Sequence, residues 1–455
     1  MSRRSKTNLS SNLTNSLGNF LEQLMPWRLS VFLIASLILG GTSQAILYPK
    51  IALNIIAIAI IAHILATKTR DSLRSLFRLP LIIGSLFVVL YAFYLIPLPA
   101  FFWNGLSQSE IVLRGYELAQ IKPSWRALSL TPEDTALTLW NFLPPIAVVM
   151  LMVLDLRGGE LKQSFKALMW IGLLMIALGV LQFASISNAL YLYKFSTLGL
   201  PTGTFSNTNH FGTFLVMLLP ISLFQFFRYR RDSLTNFNFG LSLLLLAAAI
   251  PMIILTDSAA GYLIMPVILA LSIITLRQKE RDLRPLWILL VAIPVFLLID
   301  FLMQGRISGL VLAQIAETGP ASRRVIYETI WTQSKMTALF GTGPGSFYDV
   351  YLGLENRTTM GTKFVNLAHN DYLQVWLEMG LIGLTIMLSF VLYTAYRLIK
   401  LILGDGTRVQ IAAALSTGAV MIASLVDYPL RTIAICVLLS YFTVLMAGID
   451  RGRAH

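Results

Sequence analysis

Stretches of about 20 apolar residues recur from near the start of the chain to its end, and nothing else in the sequence limits the fold so strongly. A helix of that length crosses the roughly 30 Å of hydrocarbon in a bilayer and satisfies its backbone polar groups within the segment. Twelve candidate spans follow: 29–45, 49–66, 79–97, 140–156, 167–184, 211–228, 239–255, 259–276, 286–302, 375–398, 408–425 and 432–449. Thr256, Asp257 and Ser258 alone separate the seventh from the eighth, so that pair must turn sharply or merge. Composition agrees, because 13% of residues are charged where a soluble domain carries roughly a quarter. A soluble enzyme, a nucleic-acid binder and a disordered scaffold are excluded on these grounds. The single cysteine, Cys436, excludes an internal disulfide and a thiolate metal cluster.

The net charge of +13 has to be read by position. Basic residues gather in alternate short connections: Arg3 to Arg28, Lys68 to Arg78, Arg157 to Lys166, Arg228 to Arg231, Arg277 to Arg284, Arg397 to Arg408, and Arg451 to Arg453. These segments hold 23 of the 35 Lys and Arg residues, and the positive-inside rule assigns them to the cytoplasm. The predicted fold is an all-α polytopic membrane protein of about 12 helices with both termini cytoplasmic. It divides into a polar tail at 1–28, helices 1–9 over 29–302, a large outward loop at 303–374, helices 10–12 over 375–449 and a tail at 450–455. Residues 1–25 carry no signal-peptide cleavage pattern. Trp27, Trp140, Trp170, Trp287 and Trp376 lie near span ends and read as an aromatic belt.

Two outward loops are long. The mixed charge of 98–139 predicts a surface cap. The 303–374 loop exceeds a plain connection and should be partly helical, with Arg323, Tyr327 and Trp331 on one helical face. Gly341, Gly343 and Gly345 predict a turn with close backbone approach. Outward polar residues gather in four places: Pro201 to Gly212, Thr256 to Gly261, the long loop from Arg306 through Tyr372, and Asp427 to Arg431. Their convergence on one outward-opening pocket is the central expectation.

An imidazole, with an ordinary pKa of about 6.5, can take a proton from a hydroxyl at neutral pH. His369, beside Asn370 and Asp371 at the mouth of a span, can serve in that way or as an interfacial cap. His210 follows Asn207 and Asn209, which suggest an N-cap or turn. Guanidinium forks match phosphate oxygens. Arg306, Arg323 and Arg431 lie where positive residues are scarce, so each needs an internal carboxylate or a substrate anion. Asp427 stands four residues before Arg431 and offers it a local pair, as Glu328 does for Arg324. Glu378 reads as a structural carboxylate at a helix start. There is no Asp-x-Asp, no His pair at i, i+4 and no cysteine cluster, so neither metal nor cofactor is expected.

Four segments between residues 200 and 440 resemble the O-antigen ligase and O-antigen polymerase superfamily of bacterial membrane glycosyltransferases. They are Gly203-Thr-Phe-Ser-Asn-Thr-Asn209; Arg323-Arg-Val-Ile-Tyr327 followed by Gly341-Thr-Gly-Pro-Gly-Ser-Phe347; Ala368-His-Asn-Asp-Tyr-Leu373 followed by Glu378-Met-Gly-Leu-Ile-Gly383; and Ser424-Leu-Val-Asp-Tyr-Pro-Leu-Arg431. The resemblance implies a GT-C-like fold in the inner membrane. It also implies metal-independent, inverting transfer of a glycan from an undecaprenyl-type polyprenyl diphosphate carrier at the periplasmic face. The acceptor would be lipid A core for a ligase or a second lipid-linked glycan for a polymerase. The motif histidine corresponds to His369 and the loop arginines to Arg323 and Arg306, the catalytic set. Asn207, Asn209, His210, Arg324, Tyr327, Asn370, Asp427 and Arg431 would line the substrates. One departure from the family pattern matters: Thr256-Asp-Ser is followed by Ala259 where an arginine is usual.

A twelve-helix transporter or flippase for lipid-linked glycans is the alternative. Against it stand the lack of half-to-half symmetry, the large loop between helices 9 and 10, and polar residues at one face rather than at bilayer depth.

Overall fold

The computed structural model describes residues 27–43, 47–69, 74–76, 78–156, 159–184, 187–229, 236–277, 322–355, 365–404 and 406–448. Its main helices are α1 (Arg28–Leu39), α2 (Leu47–Thr67), α3 (Leu79–Leu95), α4 (Glu110–Leu118), α5 (Pro132–Trp140), α6 (Leu143–Leu154), α7 (Glu160–Ala184) and α8 (Thr208–Tyr229). They continue with α9 (Phe237–Leu255), α10 (Ala259–Arg277), α11 (Arg323–Met336), α12 (Phe347–Leu354), α13 (Asp371–Leu403), α14 (Arg408–Ala423) and α15 (Ile433–Ala447). Two-residue strands, β1 (Pro97–Leu98) and β2 (Arg126–Ala127), pair antiparallel. Among the described residues, seven helical stretches are long and apolar enough to cross a membrane: α2, α5 with α6, α7, α8, α9, α10 and α13. The apolar helices α1, α3, α14 and α15 are shorter. Eleven predicted spans overlap one of these helices; the ninth, 286–302, lies outside the described residues. The seventh and eighth remain separate, turning through Asp257 at φ 53°.

Helix α8 forms the centre of the bundle, with 89% of its apolar window buried against 17% for α2. Its sequence is apolar on all sides, as a helix surrounded by others requires. It packs on α9, α10 and α14, while α15 packs on α14, α6 and α1. Pro220, Pro251 and Pro266 sit inside α8, α9 and α10, where neighbouring helices can satisfy the freed carbonyls.

Helix α13 starts at Asp371, four residues before the predicted span, with Asn370 as its N-cap; the Asn370 side chain accepts the Leu373 N–H at 3.0 Å. It is broken at Gly380 (φ 60°, ψ −162°), a backbone state that only glycine holds easily. A Cβ there would run into the Leu339 carbonyl. The glycine turn predicted at 341–345 fills this break. Thr342 N–H donates to Leu377 O at 2.9 Å, Gly343 N–H to Glu378 O at 2.8 Å, and Leu381 N–H to Ala338 O at 2.7 Å. The 98–139 loop is more than the expected cap. Leu130 N–H donates to Thr342 O at 2.9 Å, and the Thr135 hydroxyl donates to Pro344 O at 2.6 Å. The 98–139 segment and the described glycine turn are therefore joined to one another, and the turn to α13.

At the other end of the bundle Arg28 binds Glu160 at 2.6 Å and also pairs with Asp155, which Lys68 meets at 2.5 Å. This cluster ties the starts of α1 and α7 to the ends of α2 and α6.

Candidate active site

Asp427 sits in the connection between α14 and α15, fully buried, with an imidazole on each side. Its Oδ1 lies 3.7 Å from His369 Nδ1, and its Oδ2 lies 3.8 Å from His210 Nε2. Both contacts are longer than hydrogen bonds, and neither carboxylate oxygen has a hydrogen-bond partner among the described residues. Burial by itself would push this carboxyl up; the two imidazoles and the Arg323 guanidinium outweigh it and hold Asp427 below the usual carboxylate range. Tyr428 stands between the histidines, with ring centroids 5.0 Å from His210 and 4.9 Å from His369. Its hydroxyl accepts the Asn207 amide N–H at 3.2 Å.

The two histidines differ. His210, in the first turn of α8, has no exposed surface, and its Nδ1 shares a hydrogen bond of 2.8 Å with the Thr432 hydroxyl. The His369 side chain is 28% exposed although its Nδ1 is buried, so the open part of the ring lies on its other atoms. His369 also has φ 53°, a left-handed backbone uncommon for a residue with a Cβ and often found where function requires it. Three bonds keep it there. Tyr327 donates its hydroxyl to His369 O at 2.7 Å, Asn370 donates to Leu425 O at 2.8 Å, and Asp371 N–H donates to Ser424 O at 2.9 Å.

Ser322 caps α11 and leaves Arg323 at its first position, where Nη1 donates to Val426 O at 2.7 Å. The rest of the guanidinium fork makes no further hydrogen bond among the described residues. The predicted face continues to Trp331, which meets Trp376 of α13 edge to face at 4.9 Å. Arg324 points away and pairs with Glu328 at 2.9 Å on the exposed side. Asn209 supplies its backbone N–H to Asn207 Oδ1 at 2.8 Å. Arg306 lies outside the described residues.

Two sequence expectations are corrected. Arg431 is not the local partner of Asp427: it binds Glu378 at 2.8 Å and approaches Asp371 at 3.6 Å. The chain forms a short 3₁₀ turn at Pro429–Arg431, so the i, i+4 neighbour relation of an α-helix does not apply. Glu378 does not meet a helix start; it lies inside α13, buried against Arg431 and the Gln374 amide at 3.0 Å. Tyr428 and Thr432 were not singled out in the sequence, and the adjacency of Tyr428 to Asp427 was the one signal available.

A cavity of about 1690 Å³ opens beside this cluster, between α2, α3, α6, α13 and α15. Its wall is mostly apolar, including Ile55, Val88, Met150, Met387, Phe390 and Leu439. Asp371, Glu378 and Arg431 line one side, Lys50 another, and Asn366 and Leu367, just before His369, also border it.

Residues 241–388 match the family model for O-antigen ligase. No curated protein matches the chain. The matched O-antigen ligase segment holds Arg323, Tyr327, His369 and Asn370, while Asn207, His210 and Asp427 come to the cluster from outside it. The motif resemblance is thereby supported over that segment, and with the apolar helices it indicates a multi-pass bacterial membrane protein.

Proposed function

We propose that this protein is a periplasm-facing, inverting glycosyltransferase of the inner membrane, with twelve spans and cytoplasmic termini. It moves a glycan from a polyprenyl diphosphate carrier to an acceptor hydroxyl. The observation that carries this reading is His369, open to an incoming group on one edge and facing the buried Asp427 carboxylate on the other, 3.7 Å away. The acceptor oxygen attacks the anomeric carbon as its proton passes to the free nitrogen of His369. The bond from that carbon to the diphosphate oxygen breaks, and the oxygen keeps the electron pair. Asp427 steadies the imidazolium, as a buried carboxylate does for a histidine base. Arg323 offers its unused donors to the leaving diphosphate, where negative charge grows as the bond breaks. The apolar cavity takes the hydrocarbon chain, with Lys50 available to a lipid phosphate. Arg306 would add to the diphosphate clamp, and the outward loops supply the acceptor surface.

The test is direct. Purified protein receives labelled lipid-linked repeat units alone, then with lipid A core. A ladder from the first mixture means polymerase, and product in the second alone means ligase. His369→Ala should lower either rate about a hundredfold or more. Wild-type transfer by that variant, or movement of the lipid-linked glycan across proteoliposomes with no new glycosidic bond, would refute the reading.

A further inference from the structure

His210 lies in the polar cluster but is shut away from any ligand. It has no exposed surface and does not border the cavity. Its two nitrogens face different partners, Thr432 at Nδ1 and Asp427 at Nε2. A carboxylate attracts an N–H dipole and repels a lone pair, and at 3.8 Å, beyond hydrogen-bond length, that preference still places the neutral ring's hydrogen on Nε2, so the Thr432 hydroxyl donates to Nδ1. The O–H of Thr432 and the N–H of His210 then both point along the row toward Asp427 Oδ2, leaving Oδ1 for His369.

We propose that His210 is a positioning residue that touches no substrate: backed by Thr432, it holds the Asp427 carboxylate turned toward His369 Nδ1. This rests on the reading of His369 as the base. Among the described residues, the charged and titratable groups around the pair come from α11, α13 and the 424–432 connection. Arg323 and Tyr327 belong to α11, Asp371 to α13, and Tyr428 and Arg431 to the 424–432 connection. Arg323 has its hydrogen bond to the Val426 carbonyl, Tyr327 bonds the His369 carbonyl, and Asp371 and Arg431 approach each other. Of these groups and His210, His210 alone stands at Oδ2.

Removing the N–H dipole that faces Asp427 makes the carboxylate a stronger partner for the protonated form of His369. The base form then requires a higher pH. In His210→Phe the acid limb of the kcat–pH profile should move up by about one pH unit, lowering kcat about tenfold at pH values on that limb and less toward the plateau, with KM for the donor unchanged. His210→Gln, which keeps an N–H donor, should recover part of the shift, and Thr432→Val should give a smaller shift in the same direction. The assay is turnover of labelled polyprenyl diphosphate-linked repeat units by the full chain in nanodiscs. A raised KM with an unmoved profile would make His210 a substrate contact and overturn the proposal. Lower thermal stability with an unmoved profile would make it merely structural and overturn it equally. If His210→Phe does not fold, the Thr432→Val profile decides. A wild-type rate in His369→Ala defeats the parent reading, whereas an inactive His369→Ala beside an unmoved His210→Phe profile defeats this inference alone.

Discussion

Two buried charge clusters occupy opposite ends of the helix bundle and obey different rules. Around Arg28 the charges are matched: Glu160 at 2.6 Å, and Asp155 shared with Lys68 at 2.5 Å. Around Asp427 they are held apart, with histidines at 3.7 and 3.8 Å and both carboxylate oxygens without hydrogen bonds among the described residues. A buried polar group left short of partners costs free energy, so such a site persists only where the surrounding fold enforces it. The Arg28 cluster spends its charges on joining helices. In the function proposed here, the Asp427 cluster keeps its charge for a proton and an anion that arrive with substrate.

Substitution should separate the two behaviours. Asp427→Asn keeps shape and removes the charge; transfer should fall about a thousandfold while the protein still purifies as a folded species. A near-normal rate would dissolve the contrast. Arg28→Ala should do the reverse, costing about 3 kcal/mol of stability by stranding buried carboxylates. The protein that remains folded should turn over at the wild-type rate, and thermal unfolding paired with initial rates reads both effects. Arg323→Lys preserves charge but not the planar fork, so turnover should drop about tenfold with little change in melting temperature. Unchanged saturation and rate would remove Arg323 from the diphosphate site. Arg324→Ala removes an exposed pair and should leave both rate and stability unaltered.

Much of this was legible in the chain. Asn207, Arg323, His369 and Asp427 stand out because polar side chains beside long apolar runs need a reason to be there. The face shared by Arg323 and Tyr327 followed from helical spacing and brings both to the residues around Asp427 and His369. Partner choice was not legible. Arg431 has a carboxylate four residues away and takes two others, because its turn is not α-helical. Thr432 is an ordinary residue at a helix start until α8 brings His210 against it.

The apolar helices could be read from the sequence alone, because a bilayer imposes its thickness and its intolerance of unpaired backbone on each segment separately. Which polar groups would meet was decided by packing. His210 and Thr432 are 222 residues apart in the chain, and Arg431 and Glu378 are 53 apart. Contacts over such separations depend on how α8, α13 and the 424–432 connection settle against one another, and no local pattern encodes that arrangement.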